Sequence, residues 1–283
     1  MNLKFATLTF VALMIPSLNS FAGQATALPV TVQDGATTLE GSLYLPNGPN
    51  GPDGSMGPLP LVVVVHEWWG KNDYAETRAK RVADELGYAA LAVDLYGAGK
   101  TAETPDAASA LAKPFYQDAE LGLKRLRAFL VAAPQVAAKH QATLENSQLA
   151  AIGYCFGATQ VLNLARASET LPDGQKLLGV VSFHGGLGTT LKTHGSLKPK
   201  VLVLHGAADK MVTAEDVKTF QAEMKASHAQ LEFKAYPGAL HAFTNPKATE
   251  VGRKFKIPVA YDVHADKDSW IRMKAFLRGL FGK

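Results

Sequence analysis

Cysteine occurs once in the 283 residues, and it stands in the run Gly153-Tyr154-Cys155-Phe156-Gly157. Gln148–Tyr154 reads as a buried strand and Phe156 to about Ala167 as a helix, so the thiol falls at a strand-to-helix junction. A nucleophile held in G-x-Nu-x-G at such a junction sits in a strained, tight turn. That turn tolerates no bulk on its neighbours and lifts the reactive atom above the sheet edge. The helix N-terminus then presents free N–H groups to negative charge developing there. Such a nucleophile needs a base and a group that orients the base. Asp209 follows the strand Lys200–His205, and His241 follows the strand Leu231–Tyr236. All three lie at strand ends, in the chain order nucleophile, acid, base that such elbows use. Each has a plainer alternative: a small buried cysteine, a turn-forming Asp, a solvated His. Their coincidence on the right junctions favours acyl transfer through a thioester.

His264 also follows Asp209 and is the rival base, although it lies inside the long segment Thr244–Asp268 rather than just past a strand. His66, His184 and His205 end strands but precede Asp209, while His140, His194 and His228 sit in polar surroundings. No His or carboxylate pair shows ligand spacing with a third partner, so no metal is expected.

The elements that must carry these residues alternate. Leu28–Gln33 and Thr38–Pro46 form a hairpin about Asp34-Gly35. The Gly/Pro/Asn-rich stretch Asn47–Pro60 is a loop. Leu61–His66 is a run apolar on both faces, and Ala75, Ala79, Val82 and Leu86 mark a helix that Gly87 stops. Ala89–Tyr96 is a strand, and Leu123, Leu126 and Leu130 mark a helix ending before Pro134. Leu178–Phe183 is a further strand. Thr213-Ala214-Glu215-Asp216 resembles a capping box, and Trp270, Met273, Leu277 and Leu280 stripe a terminal helix. This alternation predicts a mostly parallel α/β sheet covered on both faces. Gly185–Lys198 is too short for a large lid.

Lys and Arg outnumber Asp and Glu by 29 to 25, and 47% of residues are hydrophobic. The excess charge is scattered, which argues against a nucleic-acid partner. Residues 1–22 read as a secretory signal: Lys4, the apolar stretch Phe5–Ile15, Pro16, then Ser20-Phe21-Ala22 before a cut ahead of Gly23. The apolar run is too short for a stable membrane anchor. Residues 23–283 would then be one exported domain, periplasmic or secreted, and a monomer is expected.

Taken together the motifs resemble the dienelactone hydrolase family. The matching residues are His66-Glu67-Trp68-Trp69-Gly70, Asp94-Leu95-Tyr96-Gly97, the elbow at Cys155, His205-Gly206 with Asp209, His241-Ala242-Phe243, and Tyr261-Asp262 leading to Ser269-Trp270. The resemblance implies an α/β-hydrolase fold and a Cys155–His241–Asp209 hydrolase of esters or lactones that needs no cofactor. It also implies an oxyanion hole from the Trp68 and Phe156 backbone N–H groups. Glu67 would accept the thiol's hydrogen bond at rest and move when substrate enters. The family's namesake holds a substrate carboxylate with arginines where this chain has Gly97-Ala98-Gly99-Lys100 and Thr244-Asn245. The resemblance therefore carries the catalytic residues and leaves the substrate open, with Lys100 or Arg253 as possible substitutes. A shallow cleft rimmed by Trp68, Trp69, Tyr96 and Phe243 suits small acyl esters. Two other readings are a catalytically silent binding protein and a thiol-redox protein. The second lacks a resolving cysteine.

Overall fold

The computed structural model describes residues 25–47, 57–172, 174–191 and 195–282. The signal read in residues 1–22 lies outside them. In chain order the elements are β1 (Thr26–Asp34), β2 (Thr37–Leu45), β3 (Leu59–Val65), α1 (Asp73–Leu86), β4 (Ala89–Val93), α2 (Pro105–Gln117), α3 (Ala119–Lys139) and β5 (Leu144–Tyr154). There follow α4 (Phe156–Arg166), β6 (Leu177–Phe183), β7 (Lys200–Gly206), α5 (Ala214–Ala226), β8 (Leu231–Tyr236), α6 (Ala248–Phe255) and α7 (Val263–Phe281). The strands form one eight-stranded sheet in the order β1-β2-β4-β3-β5-β6-β7-β8. The β1–β2 and β2–β4 pairs are antiparallel, and every pair from β4 to β8 is parallel.

The continuous apolar run of β3 is explained by two cores. Leu61, Val63 and Val65 face the one built with α2, α3, α4 and α5, whereas Val62 and Val64 face the one built with α1 and α7. Successive side chains alternate across a strand, so a strand covered on both faces must be apolar at every position. The parallel strands all end at the same edge, and β3, β5, β7 and β8 carry Glu67, Cys155, Asp209 and His241 just beyond their C-terminal ends.

Three local expectations need correction. The helix expected to stop before Pro134 runs on to Lys139. A proline there cannot donate to the Leu130 carbonyl, and the Gln175 side-chain amide donates to that oxygen instead at 2.8 Å. The strand expected over Ala89–Tyr96 ends at Val93, because Asp94 turns the chain by accepting hydrogen bonds from the Tyr96 and Gly97 N–H groups. Helices α2 and α6 also stand where none was expected. By contrast, the Thr213–Asp216 capping box is formed as read, with both reciprocal hydrogen bonds. No described helix is long and apolar enough to cross a membrane.

Candidate active site

The elbow follows from its glycines. A Cβ on Gly153 would lie 2.2 Å from the Gly157 carbonyl oxygen, and one on Gly157 would lie 2.4 Å from the Val65 carbonyl oxygen. Only glycine lets β5, α4 and β3 approach this closely. Cys155 between them is held at φ 52°, a conformation side chains avoid, and its N–H continues the sheet by donating to Phe183 O at 3.0 Å. As the first residue of α4, Phe156 has no intrahelical acceptor for its own N–H.

Cys155, His241 and Asp209 are brought together. The Cys155 Sγ lies 3.1 Å from His241 Nε2, and His241 Nδ1 lies 2.8 Å from Asp209 Oδ2. The second Asp209 oxygen accepts from the Met211 N–H at 2.7 Å, which fixes the carboxylate. Burial alone would lower the pKa of His241. The Cys155 sulfur and the Asp209 carboxylate outweigh it and raise the imidazole to about 10. The arrangement can therefore pass the thiol proton to the imidazole, with the carboxylate fixing the ring through Nδ1. His264, the rival base, is exposed at the start of α7 and caps against Asp262 through its backbone.

Glu67 is buried against this group but not bonded to the thiol. Its carboxylate accepts from Asn245 Nδ2 at 2.6 Å, while the thiol pairs with His241. The expected resting contact between Glu67 and Cys155 is thus replaced: an uncharged amide holds the carboxylate aside. Burial pushes the Glu67 carboxyl up to about 7, with the Asn245 hydrogen bond and the positive charges of His241 and Arg78 pulling it back.

The loop bearing Trp68 is clamped from below. His66 Nδ1 lies 2.6 Å from Glu67 O, and His66 Nε2 accepts from the Leu95 N–H, so the proton sits on Nδ1. Burial lowers the pKa of His66 to about 4 and keeps the ring neutral. Because a peptide is planar, fixing the Glu67 carbonyl also fixes the direction of the Trp68 N–H on its far side. The Tyr96 hydroxyl donates to Trp68 O at 3.2 Å.

Tyr96 therefore lies beneath the cleft rather than on its rim, packed on Phe156, His66 and Phe115. Phe243, also expected on the rim, is wholly buried against His184 and Tyr236. Trp68 and Trp69 do line the cleft, joined by Met211, Asn245, Val251 and Val259 around a small cavity of about 20 Å3. Lys100 and Arg253 are exposed and stand outside this wall. Wider hollows near Lys200 and Gln230 open at the opposite end of the strands, away from Cys155, His241 and Asp209.

Behind His241 lies a polar cluster that sequence reasoning missed. His184 packs edge-on to His241 at 5.4 Å, and its Nε2 bonds the Thr244 hydroxyl, which also bonds the Tyr74 hydroxyl. Buried Arg78 donates to Thr244 O at 2.5 Å and to Asp266 at 2.7 Å. These contacts pin the loop that presents both His241 and Asn245. Their one sequence signal was the cluster of polar residues at otherwise apolar helix and strand-end positions.

Comparison with known proteins agrees with this fold. Residues 47–281 match the model of the dienelactone hydrolase family. A solved dienelactone hydrolase-like promiscuous phosphotriesterase from metagenomic libraries is similar at 34% identity and a TM-score of 0.78, covering 91% of this chain and 99% of that one. A putative carboxymethylenebutenolidase of Saccharolobus solfataricus is 27% identical over 249 residues, which cover 78% of this chain and 90% of the relative. A putative dienelactone hydrolase from Klebsiella pneumoniae, 23% identical with a TM-score of 0.65, shares the fold over 90% of this chain and 99% of that one.

Proposed function

Since the chain belongs to the dienelactone hydrolase family and is a hydrolase of ester or lactone bonds, we propose that it works through a Cys155–His241–Asp209 triad and a thioester intermediate. Cys155 attacks the carbonyl carbon as its proton passes to His241 Nε2. The tetrahedral oxyanion forms in reach of the Phe156 and Trp68 N–H groups, a type of contact worth roughly 3–4 kcal/mol per donor. His66 acts as a positioning residue for the second donor. Collapse of the intermediate expels the alcohol, which takes the proton from His241, and leaves the acyl group on sulfur. His241 then draws a proton from water as the water oxygen bonds the acyl carbon, and the second tetrahedral intermediate breaks its C–S bond, releasing the acid while His241 returns the proton to the sulfur. Asp209 keeps the proton on Nδ1 and stabilises the imidazolium throughout.

The observation that carries this reading is the bonded chain Asp209–His241–Cys155 at a strained elbow. The cleft wall shows no Lys or Arg among the described residues, which supports uncharged esters or lactones as substrates. We further propose that the signal read in residues 1–22 exports the enzyme to the periplasm or beyond.

The test is hydrolysis of 4-nitrophenyl acetate. Cys155→Ala and His241→Ala are expected to lose several orders of magnitude in turnover and Asp209→Asn about 10⁴-fold at most, while His264→Ala keeps activity. Iodoacetamide should abolish turnover in step with alkylation of Cys155. Full activity of Cys155→Ala would refute the triad, and an inert wild type would return the chain to a silent binding protein.

A further inference from the structure

The cavity over the thiol is nearly filled. At about 20 Å3 it only slightly exceeds the ~10–15 Å3 that one water needs, so it admits a reacting oxygen but not the group behind it. Cys155 and His241 both line it, and Val251 and Val259, from the segment after His241, close its far side. Half-buried Trp69 and Val251 and exposed Met211 mark where it meets solvent. An aromatic surface continues outward from there. Trp68 and Trp69 pack edge-on at 5.1 Å, and the Trp69 ring lies 6.5 Å from that of Phe255, tilted by 32°. Phe255 follows Val251 by one turn of α6, so the two share a face of the helix. Phe255 is itself half-buried, so this surface is only partly covered.

Proton transfer decides which part of a substrate meets this surface. His241 Nε2, 3.1 Å from the sulfur, must hand its proton to the departing alcohol oxygen, so that oxygen lies inside the cavity within hydrogen-bond reach of the ring. Its substituent cannot follow it in and continues past Val251 and Trp69 toward solvent. We propose that the Trp69–Phe255 surface is the leaving-group subsite and that the enzyme prefers esters of flat aromatic alcohols. This rests on the triad reading of Cys155.

Both halves of the surface are held in place before a substrate arrives. A Cβ on Gly70 would lie 2.7 Å from Lys100 O, and the Ala102 N–H donates to Trp69 O at 3.0 Å, which fixes the backbone that carries Trp69. On α6 a Cβ on Gly252 would lie 2.3 Å from Val259 O, so the helix backbone rests directly on Val259. Val259 in turn forms a β-bridge with His241, and the Ala260 N–H donates to His241 O at 3.2 Å. Phe255 is thereby registered to the catalytic base. A surface fixed in this way loses little freedom on binding, and aromatic rings roughly 4.5–7 Å apart attract one another beyond the area they bury.

The experiment compares 2-naphthyl acetate with vinyl acetate, whose leaving groups depart about equally readily although only the first is a large flat ring. Wild type should prefer the naphthyl ester at least about ten-fold in kcat/KM. Phe255→Ala should cut kcat/KM for that ester about five-fold and leave vinyl acetate within about two-fold. Phe255→Tyr, which keeps the ring, should retain the preference. Phe255→Leu keeps an apolar side chain on α6 and should lose about three-fold; it serves if circular dichroism shows the alanine variant misfolded. Vinyl benzoate, which varies only the acyl group, should respond to each substitution as vinyl acetate does. Equal wild-type rates on the two acetates, parallel loss on both in Phe255→Ala, an unaffected naphthyl ester, a lost preference in Phe255→Tyr, or a loss specific to vinyl benzoate would overturn the subsite, while Cys155-dependent turnover of vinyl acetate still upheld the triad. An enzyme inert toward every ester would overturn both.

Discussion

Replacing Glu67 by Gln isolates the cost of a buried carboxyl. The substitution keeps nearly the same volume and an oxygen that can still accept from Asn245 Nδ2, but it removes the titrating group. In the folded protein the carboxyl titrates near 7, against an ordinary 4.5, and burial is the main cause. The folded state thus holds this proton more tightly than the unfolded state does. The sign follows from linkage: Glu67's contribution is fully present below about pH 4.5 and is lost as pH rises through about 7, where a charge must remain in a dry site. Over that interval wild type should lose about 1.4 kcal/mol per pH unit relative to Glu67→Gln, reaching a total of about 3 kcal/mol. Any difference between a neutral Glu and a Gln adds the same offset at every pH, and groups that do not face Glu67 titrate alike in both proteins and cancel. Urea unfolding followed by tryptophan fluorescence from pH 4.5 to 8.5 measures the difference directly. The variant should become the relatively more stable protein as pH rises, with the change complete by about pH 8. A difference independent of pH, or one that grows in the opposite direction, would refute the burial argument for Glu67.

Two further outcomes are expected. Gly153→Ala places a methyl group against the Gly157 backbone and should destabilise the protein by about 3 kcal/mol or more, whereas Gly279→Ala, with open space around it in α7, should stabilise it by about 0.5–1 kcal/mol; thermal melts of the two variants that shift together would contradict the close approach at the elbow. Mass spectrometry of periplasmic protein should find Gly23 at the N-terminus, and recovery of full-length chain in the cytosol alone would contradict export.

The parts of this protein legible from its sequence are those set by local signals. Alternating apolar runs and helical stripes identify the parallel sheet, Gly153 and Gly157 mark the elbow, and Thr213 with Asp216 marks a helix start. Cys155, Asp209 and His241 could be matched before any coordinates because each follows a strand, and parallel strands deliver their ends to one edge. The rest depends on which way side chains point and on partners far away in the chain. A strand-end aromatic looks the same whether it faces the cleft or the sheet, so Tyr96 and Phe243 read as rim residues and prove to be supports. Pro134 reads as a stop because the Gln175 side chain that meets the freed carbonyl comes from 45 residues away. Asn245 reaches Glu67 across 178 residues, Arg78 reaches Thr244 across 166, and no period or spacing encodes either pairing. Local backbone preference acts over a few residues, whereas a buried polar atom takes whatever partner the packed fold brings within about 3 Å, and only the tertiary structure decides which that is.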